Sequence, residues 1–370
     1  MSKKYLKIGF VLDDTLDTPD GVQQYVLTVG SWLSSQGHEV HYLVGESKRQ
    51  DLKNLHPMAK NIKVRFNKNR LSIPLPTSKK AIDQKLKKLK LDILHVQMPY
   101  SPLFAGRVIK AAPASTKIIG TFHIVPANWL HSTGARSLEL LNRHTLKQFD
   151  EIICVSPAAA TFARTVFGIE STIIPNPVNI KTMKHLPIKN KEPKIVFLGR
   201  LVERKGCQYL LKSLLRLQKQ YKGKYKVIIG GKGPLKDKLE TFAKKNKLKN
   251  IKFIGFVEEA AKPTLLASAD IAVFPSTGGE SFGISLIEAM AAGSRVVLGG
   301  DNAGYRGVLG DHPDLLVDVR NTIGFANRLQ YFLEHKKARD AAAAWAKANI
   351  GQYDIPKVGK QVVAVYRKGE

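Results

Sequence analysis

The sequence contains little cysteine. Its 370 residues include two, Cys154 and Cys207, and neither belongs to a C-x-x-C pair. We therefore expect neither a disulfide framework nor a structural zinc site, and a reducing cytosol fits this composition.

Long apolar runs are also missing. No segment approaches the roughly 20 apolar residues that cross a bilayer. The first residues resemble a signal peptide because Lys3, Lys4 and Lys7 precede an apolar run, but that run, Ile8–Leu12, is short and ends at Asp13. We expect a soluble or peripheral protein.

Acidic residues are scarce relative to basic ones. The chain has 59 lysines and arginines against 30 aspartates and glutamates, a net charge of +29. Such a surface favours polyanions, which leaves nucleic acid, anionic lipid and phosphorylated ligands as partners. The lysines are spread through both halves without interleaved aromatic residues or a known binding module, which disfavours specific nucleic acid. A basic nucleic-acid-binding protein remains the alternative from another functional class, and a generally basic proteome would also explain the charge.

Short β-branched runs alternate with longer helical patterns along the chain. In the first half we predict strands at Lys7–Leu12, Glu39–Val44, Ile93–Val96, Ile118–Phe122, Glu151–Val155 and Thr172–Ile174. In the second half we predict strands at Lys194–Leu198, Lys226–Ile229, Ile251–Ile254, Ile271–Phe274, Arg295–Leu298 and Leu315–Val317. Helical patterns lie between them, for example at Val22–Ser34, Cys207–Gln218, Pro234–Lys245 and Phe282–Ala292. This α/β alternation is typical of parallel sheets covered by helices on both faces.

The alternation restarts after a polar hinge. Pro175–Pro177 ends one unit, and the stretch Lys184–Pro193 leads into a new strand. We predict an N-terminal domain over residues 1–183 and a C-terminal domain over 194–350, with a final helix at about 353–370 packing back on the first domain. In two such doubly wound domains, ligands are expected in a cleft at the carboxyl ends of the strands.

The most informative stretch is Gly278–Met290, GGESFGISLIEAM. A predicted strand runs into a glycine-containing loop that opens a helix, and the free N–H groups at the helix N-terminus suit a pyrophosphate. Glu288 lies on this mostly apolar helix, where a carboxylate needs partners such as ribose hydroxyls. Glu280 precedes the helix and can accept hydrogen bonds from sugar hydroxyls. The alternative is that Glu280 caps the helix and Glu288 pairs with a lysine.

This stretch resembles the E-x7-E signature of glycosyltransferase family 4, and most closely that of the phosphatidylinositol mannosyltransferases. The resemblance continues along most of the chain in the matching order. The further motifs are IGFVLDDTLDTPDGVQQYV near the N-terminus, Thr121–His123, Ile174–Asn176, Phe197–Arg200, Arg204–Gly206, Gly230–Gly233, Phe253–Gly255 and Tyr353–Asp354. It implies the GT-B architecture, two Rossmann-like doubly wound parallel-sheet domains facing a cleft.

The resemblance also implies roles for the donor-binding residues. Arg200 and Lys205 would neutralise the donor pyrophosphate and charge developing on the leaving nucleotide. Glu280 would fix the sugar and Glu288 the ribose, and Lys262 matches a family lysine near the base.

Further roles concern main-chain groups and the first domain. Phe282, Gly283 and Ile284 would offer main-chain N–H groups to the donor. Gly21 would let the main chain approach the donor. His123 would contact the transferred sugar near its anomeric carbon. The candidate catalytic residues are thus His123, Arg200, Lys205 and Glu280.

Two departures concern the N-terminal motif. The family commonly has two glycines before V-Q, where this chain has Asp20–Gly21. Asp14 occupies a position where the inositol mannosyltransferases have an aromatic residue facing the acceptor ring, whereas Gln23, corresponding to an inositol-contacting glutamine, is kept. Asp14 and Gln23 are therefore the candidate acceptor-binding residues.

The implied reaction is transfer of a hexose, mannose from GDP-mannose, to a lipid such as phosphatidylinositol at the cytoplasmic membrane face. It would retain the anomeric configuration through same-face attack and an oxocarbenium-like state, with the leaving phosphate helping to deprotonate the acceptor. The chain has no D-x-D pair, so we expect no metal cofactor, protein cations taking its place. A UDP-sugar donor and another glycolipid or a soluble acceptor are the alternatives within the family.

A basic segment lies between Lys60 and Lys90, with eleven basic residues and one acid, Asp83. The spacing predicts a helix over Lys79–Leu89, capped by Thr77 or Ser78. Its apolar positions are Ile82, Leu86 and Leu89, and its other faces carry Lys79, Lys80, Lys85, Lys87 and Lys88. Such a helix is typical of a contact with an anionic membrane surface, or of a domain helix whose lysines are solvated.

Overall fold

The computed structural model describes residues 5–369 except residues 19, 67–68, 99, 126–143, 186–187 and 189, and gives only the main chain of residues 63–66 and 69–73. The chain forms two compact units. One contains the described residues up to Ile124, those from His144 to Pro177 and the segment from Ile355; the other contains Val178–Asp354. The division thus falls before the hinge at Lys184–Pro193 that the sequence indicates, because a short helix that precedes this hinge belongs to the second unit.

The first unit is built on a seven-stranded parallel sheet with the order β3-β2-β1-β6-β7-β8-β9. Its strands are β1 (Lys7–Leu12), β2 (Glu39–Val44), β3 (Leu55–Pro57), β6 (Ile93–Met98), β7 (Lys117–Phe122), β8 (Glu151–Cys154) and β9 (Thr172–Ile173). Its described helices are α1 (Gly21–Ser35), α2 (Lys79–Leu89), α3 (Ala105–Ala111), α4 (Pro157–Phe167) and α13 (Ile355–Tyr366). Strand β6 is buried at every position, as expected for a central parallel strand covered on both faces.

A hairpin, β4 (Asn61–Phe66) paired antiparallel with β5 (Asn69–Pro74), stands outside this sheet. Neither the hairpin nor β3 is among the predicted strands. The segment Asn61–Phe66 alternates apolar with polar residues, and this period of two is a strand signal that the density of basic residues obscures.

Helix α13 contributes to the core of the first unit although it is distant in sequence. Its Val358 and Val362 are fully buried, in the same cluster as Val29 of α1. The hydroxyl of Tyr366 lies 2.6 Å from Nδ1 of His95 in β6, inside this core. The helix is therefore part of the core of the first unit.

The second unit has a six-stranded parallel sheet with the order β12-β11-β10-β13-β14-β15. Its strands are β10 (Lys194–Leu198), β11 (Lys226–Gly230), β12 (Ile251–Gly255), β13 (Ile271–Phe274), β14 (Val296–Gly300) and β15 (Leu316–Val317). Its described α-helices are α5 (Ile180–Met183), α6 (Cys207–Gln220), α7 (Lys236–Lys245), α8 (Lys262–Ala267), α9 (Ile284–Ala292), α10 (Ala303–Leu309), α11 (Thr322–Glu334) and α12 (Lys336–Asn349).

Each sheet changes direction once, next to its first strand. In the second unit the chain adds β11 and β12 on one side of β10 and then returns to place β13 on the other side. Ligands of doubly wound sheets bind at the carboxyl ends of the strands at this point of reversal. A ligand site is therefore expected at the loops after β10 and β13. The motif around Glu280 lies in the loop after β13.

Candidate active site

The carboxylate of Glu280 joins the loops that follow β10 and β13. Its Oε1 accepts hydrogen bonds from Arg204 Nη1 at 2.7 Å, Lys205 Nζ at 2.8 Å and Ser276 Oγ at 2.7 Å. Burial alone would raise the pKa of Glu280, but the charges of Lys205 and Arg204, and hydrogen bonds from Lys205 and Ser276, hold it below its usual value. Glu280 is therefore an ionised carboxylate with a fixed orientation.

The loop that carries Glu280 is clamped by close main-chain contacts. Asn302 Nδ2 donates to the carbonyl oxygens of Ser276 at 3.2 Å and Gly300 at 3.0 Å, while its Oδ1 caps α10 by accepting from Tyr305 N at 3.1 Å. At Gly304 a Cβ atom would collide with the carbonyl of Glu280. Only glycine permits this approach, which fixes the main chain on either side of the carboxylate.

Glu288, on α9, meets a lysine. Lys262 Nζ lies 3.2 Å from Glu288 Oε1 and 2.9 Å from Glu259 Oε1. Burial would lower the pKa of Lys262, but the charge of Glu288, together with Glu259, raises it overall. The side chains of Lys262 and Glu288 are 12% and 13% exposed, whereas Glu259 is 54% exposed. The pairing of Glu288 with a lysine, weighed as an alternative from the sequence, is thus present, whereas Glu280 does not cap α9.

The N-terminus of α9 directly follows the loop that carries Glu280. The helix begins at Ile284, two residues later than predicted, because Gly283 takes a positive φ of 133° as its N-cap residue. Phe282 is buried and packs edge-on against Tyr353, with ring centroids 5.5 Å apart. The first N–H groups of a helix have no intrahelical acceptor, so Gly283 and Ile284 present main-chain donors at this helix N-terminus, and Phe282 directly precedes them.

Arg200 follows β10 and is exposed. The structure brings Lys205 to Glu280, but the second cation on this carboxylate is Arg204, not Arg200. Sequence reasoning missed Arg204 and Ser276 as partners of Glu280. The R-K-G motif includes Arg204, yet nothing in its spacing shows which side chain turns toward a loop more than 70 residues away.

In the first unit, His123 follows β7 and is buried. Its Nε2 lies 2.8 Å from Gln97 Oε1, and its ring packs edge-on against Tyr25 with centroids 4.9 Å apart. Gln97 Nε2 donates to the carbonyl of His95 at 3.3 Å, so the amide oxygen of Gln97 faces His123. That oxygen can only accept, which places the hydrogen of neutral His123 on Nε2 and a lone pair on Nδ1.

Burial lowers the pKa of His123 to about 3. This histidine is therefore uncharged at neutral pH, and its Nδ1 is a hydrogen-bond acceptor. Gln97 is a further functional candidate that sequence reasoning missed. It lies near the end of β6, and β6 is the neighbour of β7, the strand that precedes His123. This position is the signal that could have revealed it.

The two candidate acceptor-binding residues are adjacent. Gln23 is buried in α1, and its Nε2 lies 3.4 Å from Asp14 Oδ2 at the carboxyl end of β1. Asp13, beside it, is half-buried and accepts main-chain hydrogen bonds from Ser101 and Ala105. The sequence places Gly21 in a loop, but in the structure it is the first residue of α1. Its main chain therefore belongs to a helix N-terminus.

Helix α2 has the predicted bounds. Ser78 is its N-cap residue but makes no side-chain capping bond, while Thr77 bonds to the carbonyl of Met58. Its apolar positions Ile82, Leu86 and Leu89 are buried, as expected of a domain helix, so they are not available to contact a membrane. The lysines at 79, 80, 87 and 88 are exposed and Lys85 is half-buried; Lys63, Arg65, Lys68 and Arg70 lie outside the described side chains.

No described helix is long and apolar enough to cross a membrane. No three histidine, cysteine, aspartate or glutamate side chains within the described part of the chain are grouped so as to hold a metal ion.

The sequence matches two family profiles that together span most of the chain. "Glycosyltransferase Family 4" matches residues 19–182, and "Glycosyl transferases group 1" matches residues 178–349. The "Phosphatidyl-myo-inositol mannosyltransferase" of Mycolicibacterium smegmatis is 30% identical over 98% of this chain and 93% of that protein. The protein of the same name from Mycobacterium leprae is 28% identical over 98% of this chain and 96% of its own.

Solved structures share the fold at lower identity. A glycosyltransferase from Rickettsia africae superposes with a TM-score of 0.78 at 17% identity, covering 99% of this chain and 100% of that one. Anabaena HepE in complex with UDP and glucose superposes with a TM-score of 0.78 at 18% identity, covering 98% and 100%. These likenesses confirm the predicted GT-B architecture of two parallel-sheet domains. The glutamate-centred site, the fold and the two profiles together show that this chain belongs to glycosyltransferase family 4 and is a hexosyltransferase.

Proposed function

We propose that this enzyme transfers mannose from GDP-mannose to phosphatidylinositol at the cytoplasmic face of the membrane, with retention of anomeric configuration and without a metal ion. The observation that carries the proposal is the Glu280 cluster at the reversal point of the second sheet. Three donors converge on Oε1, and in the proposed complex Oε2 accepts hydrogen bonds from sugar hydroxyls. The proposed acceptor comes from the relatives named above. They are phosphatidyl-myo-inositol mannosyltransferases, and this chain matches them along nearly their whole length.

The cations of the site suit a diphosphate leaving group. Arg200 and Lys205 follow the end of β10, and the main-chain donors of Phe282, Gly283 and Ile284 lie at a helix N-terminus. Such groups stabilise charge that develops on the β-phosphate as the glycosidic bond breaks. In the proposed step, the acceptor hydroxyl attacks the same face of an oxocarbenium-like sugar, and its proton passes to the departing phosphate.

The pair Lys262 and Glu259 favours guanine. Guanine presents an acceptor at O6 beside donors at N1 and N2. The ammonium of Lys262 and the exposed carboxylate of Glu259, 2.9 Å apart, are complementary to that edge, while Glu288 takes the ribose hydroxyls. UDP-sugars are the second candidate donors, because the Anabaena neighbour holds UDP and glucose, with another glycolipid or a soluble sugar as acceptor.

The test is a transfer assay with the purified chain, labelled GDP-mannose, a panel of UDP-sugars, and vesicles containing phosphatidylinositol. We expect an α-mannosylated lipid from GDP-mannose, formed equally well in excess EDTA. Transfer from a UDP-sugar alone would establish the second candidate. Loss of activity in EDTA with recovery in magnesium would refute the metal-free proposal.

Glu280→Ala should lower turnover by about 10²-fold or more, since the group that positions the reacting sugar is lost. The matched control is Glu334→Ala, an exposed glutamate of the same unit, which should retain full activity. Wild-type turnover in Glu280→Ala would show that the sugar is held elsewhere.

A further inference from the structure

The positive charge of the second unit is concentrated in one part of it. From Lys212 to Lys252 the chain carries fourteen lysines and arginines against two acids, Asp237 and Glu240. From Phe253 to Asp354 it carries nine basic residues against twelve acids. A generally basic composition would spread the charge over both segments, so this asymmetry belongs to the surface of the fold.

These fourteen residues lie on neighbouring elements. The segment comprises most of α6, then β11, α7 and the start of β12, and β12 is an edge strand. The chain steps from β10 to β11 to β12 in one direction, so right-handed crossovers place α6 and α7 on the same face of the sheet. We call this set the α6–α7 basic surface; its members are Lys212, Arg216, Lys219, Lys222, Lys224, Lys226, Lys232, Lys236, Lys238, Lys244, Lys245, Lys247, Lys249 and Lys252.

All fourteen side chains are exposed. Lys236 lies 3.7 Å from Glu240, and Lys226 lies 3.7 Å from Glu192, but exposed pairs of this kind contribute little to stability. Crowding like charges on neighbouring elements raises the energy of the folded state through self-repulsion. A negatively charged partner would remove that cost.

We propose that the α6–α7 basic surface docks on an anionic lipid bilayer. This inference rests on the proposed function, because a lipid acceptor requires the enzyme to work at a membrane, and it adds a contact in the second unit to the one expected from α2. Lysines near such a surface are each attracted to it, and the attraction falls off within a Debye length.

The chemistry of the surface favours a bilayer over nucleic acid. Thirteen of the fourteen residues are lysines and one is Arg216, whereas arginine is the residue suited to bidentate phosphate recognition. At the end of β12, Ile254 is 37% exposed and Phe256 is 42% exposed. An aliphatic and an aromatic side chain beside exposed lysines suit the boundary between head groups and acyl chains.

The experiment compares two five-lysine variants of the full chain. The surface variant changes Lys236, Lys238, Lys244, Lys245 and Lys247 to Gln, and the control variant changes Lys181, Lys184, Lys191, Lys337 and Lys347, exposed lysines of the same unit, to Gln. Both have the same net charge. Sedimentation with vesicles of phosphatidylcholine and phosphatidylglycerol, at a 7:3 ratio, measures binding, and GDP-mannose titration measures the donor site.

We expect the surface variant to bind these vesicles at least tenfold more weakly than wild type, and the control variant to stay within threefold of it. Equal weakening of both would show that only net charge matters and would overturn the proposal. Tighter wild-type binding to a single-stranded RNA than to the vesicles, lost in the surface variant, would also overturn it, in favour of nucleic acid. Failure of the proposed function is separate: it would appear as absent mannosyl transfer by wild type, whatever the vesicle result.

Discussion

At the scale of single residues, the candidate site is governed by how its carboxylates are held. Glu280 has two cations and a hydroxyl on one oxygen, and Glu288 shares Lys262 with Glu259. A buried carboxylate without such partners would be protonated or would destabilise the fold. These contacts compensate both carboxylates and fix their orientation.

The cations after β10 should matter more in the transition state than in substrate binding. Arg200→Ala and Lys205→Ala should each cost about 2–4 kcal/mol in kcat/KM, since charge on the leaving diphosphate increases as the bond breaks. Steady-state kinetics and titration with GDP measure the two effects. Unchanged donor affinity and turnover in both variants would move the phosphate site elsewhere.

His123 should affect transfer much more than nucleotide binding. The candidate nucleotide contacts lie in the second unit, whereas His123 belongs to the first. We expect His123→Ala to lower kcat by about 10²-fold and to leave the Kd for GDP within twofold. A comparable loss of GDP affinity would indicate a structural histidine.

At the scale of elements, the sequence predicted regular structure well where apolar runs are bounded by polar residues. Strands β1, β2, β10 and β13 and helix α2 have the predicted bounds. The missed strands are β3, which has three residues, and those of the hairpin β4–β5, whose pattern is overlaid by lysine and arginine. Long-range contacts were less accessible, because Arg204 reaches Glu280 only through the juxtaposition of two loops.

Helix α2 should contribute electrostatic attraction alone to membrane binding, since its apolar stripe is buried in the unit. Changing Lys79, Lys80, Lys85, Lys87 and Lys88 to Gln should weaken binding to anionic vesicles, and moderate salt should release the wild type. Vesicle sedimentation with and without salt checks both. Equal sedimentation of variant and wild type would remove α2 from the contact.

At the scale of the whole molecule, several histidines make stability sensitive to acid. Burial is the main cause of a lowered pKa in four of them. It lowers the pKa of His38, lowers that of His56 to about 4, and lowers those of His95 and His123 to about 3. In the unfolded chain a histidine has a pKa of about 6.5. Below that value the unfolded state binds more protons, so the stability present above pH 6.5 declines as the pH falls. Burial raises the pKa of Asp13 to about 6, a smaller effect of opposite sign.

Urea unfolding between pH 7.5 and 5 should therefore show a falling free energy of unfolding. Each fully buried histidine adds a slope of up to about 1.4 kcal/mol per pH unit. His95→Gln should reduce that slope by about 1.4 kcal/mol per pH unit, the contribution of one proton. An unchanged slope in His95→Gln would contradict the assignment of His95 as a neutral core residue.

The return of α13 to the first unit has a consequence for biosynthesis. Residues that pack on α1 and bond to His95 are translated only after all of Val178–Asp354. While the ribosome makes that segment, the nascent first unit lacks α13, and apolar side chains of α1 remain uncovered. Chaperones would therefore have an extended period in which to bind it, and messages cut short before codon 355 would yield products suited to proteolysis.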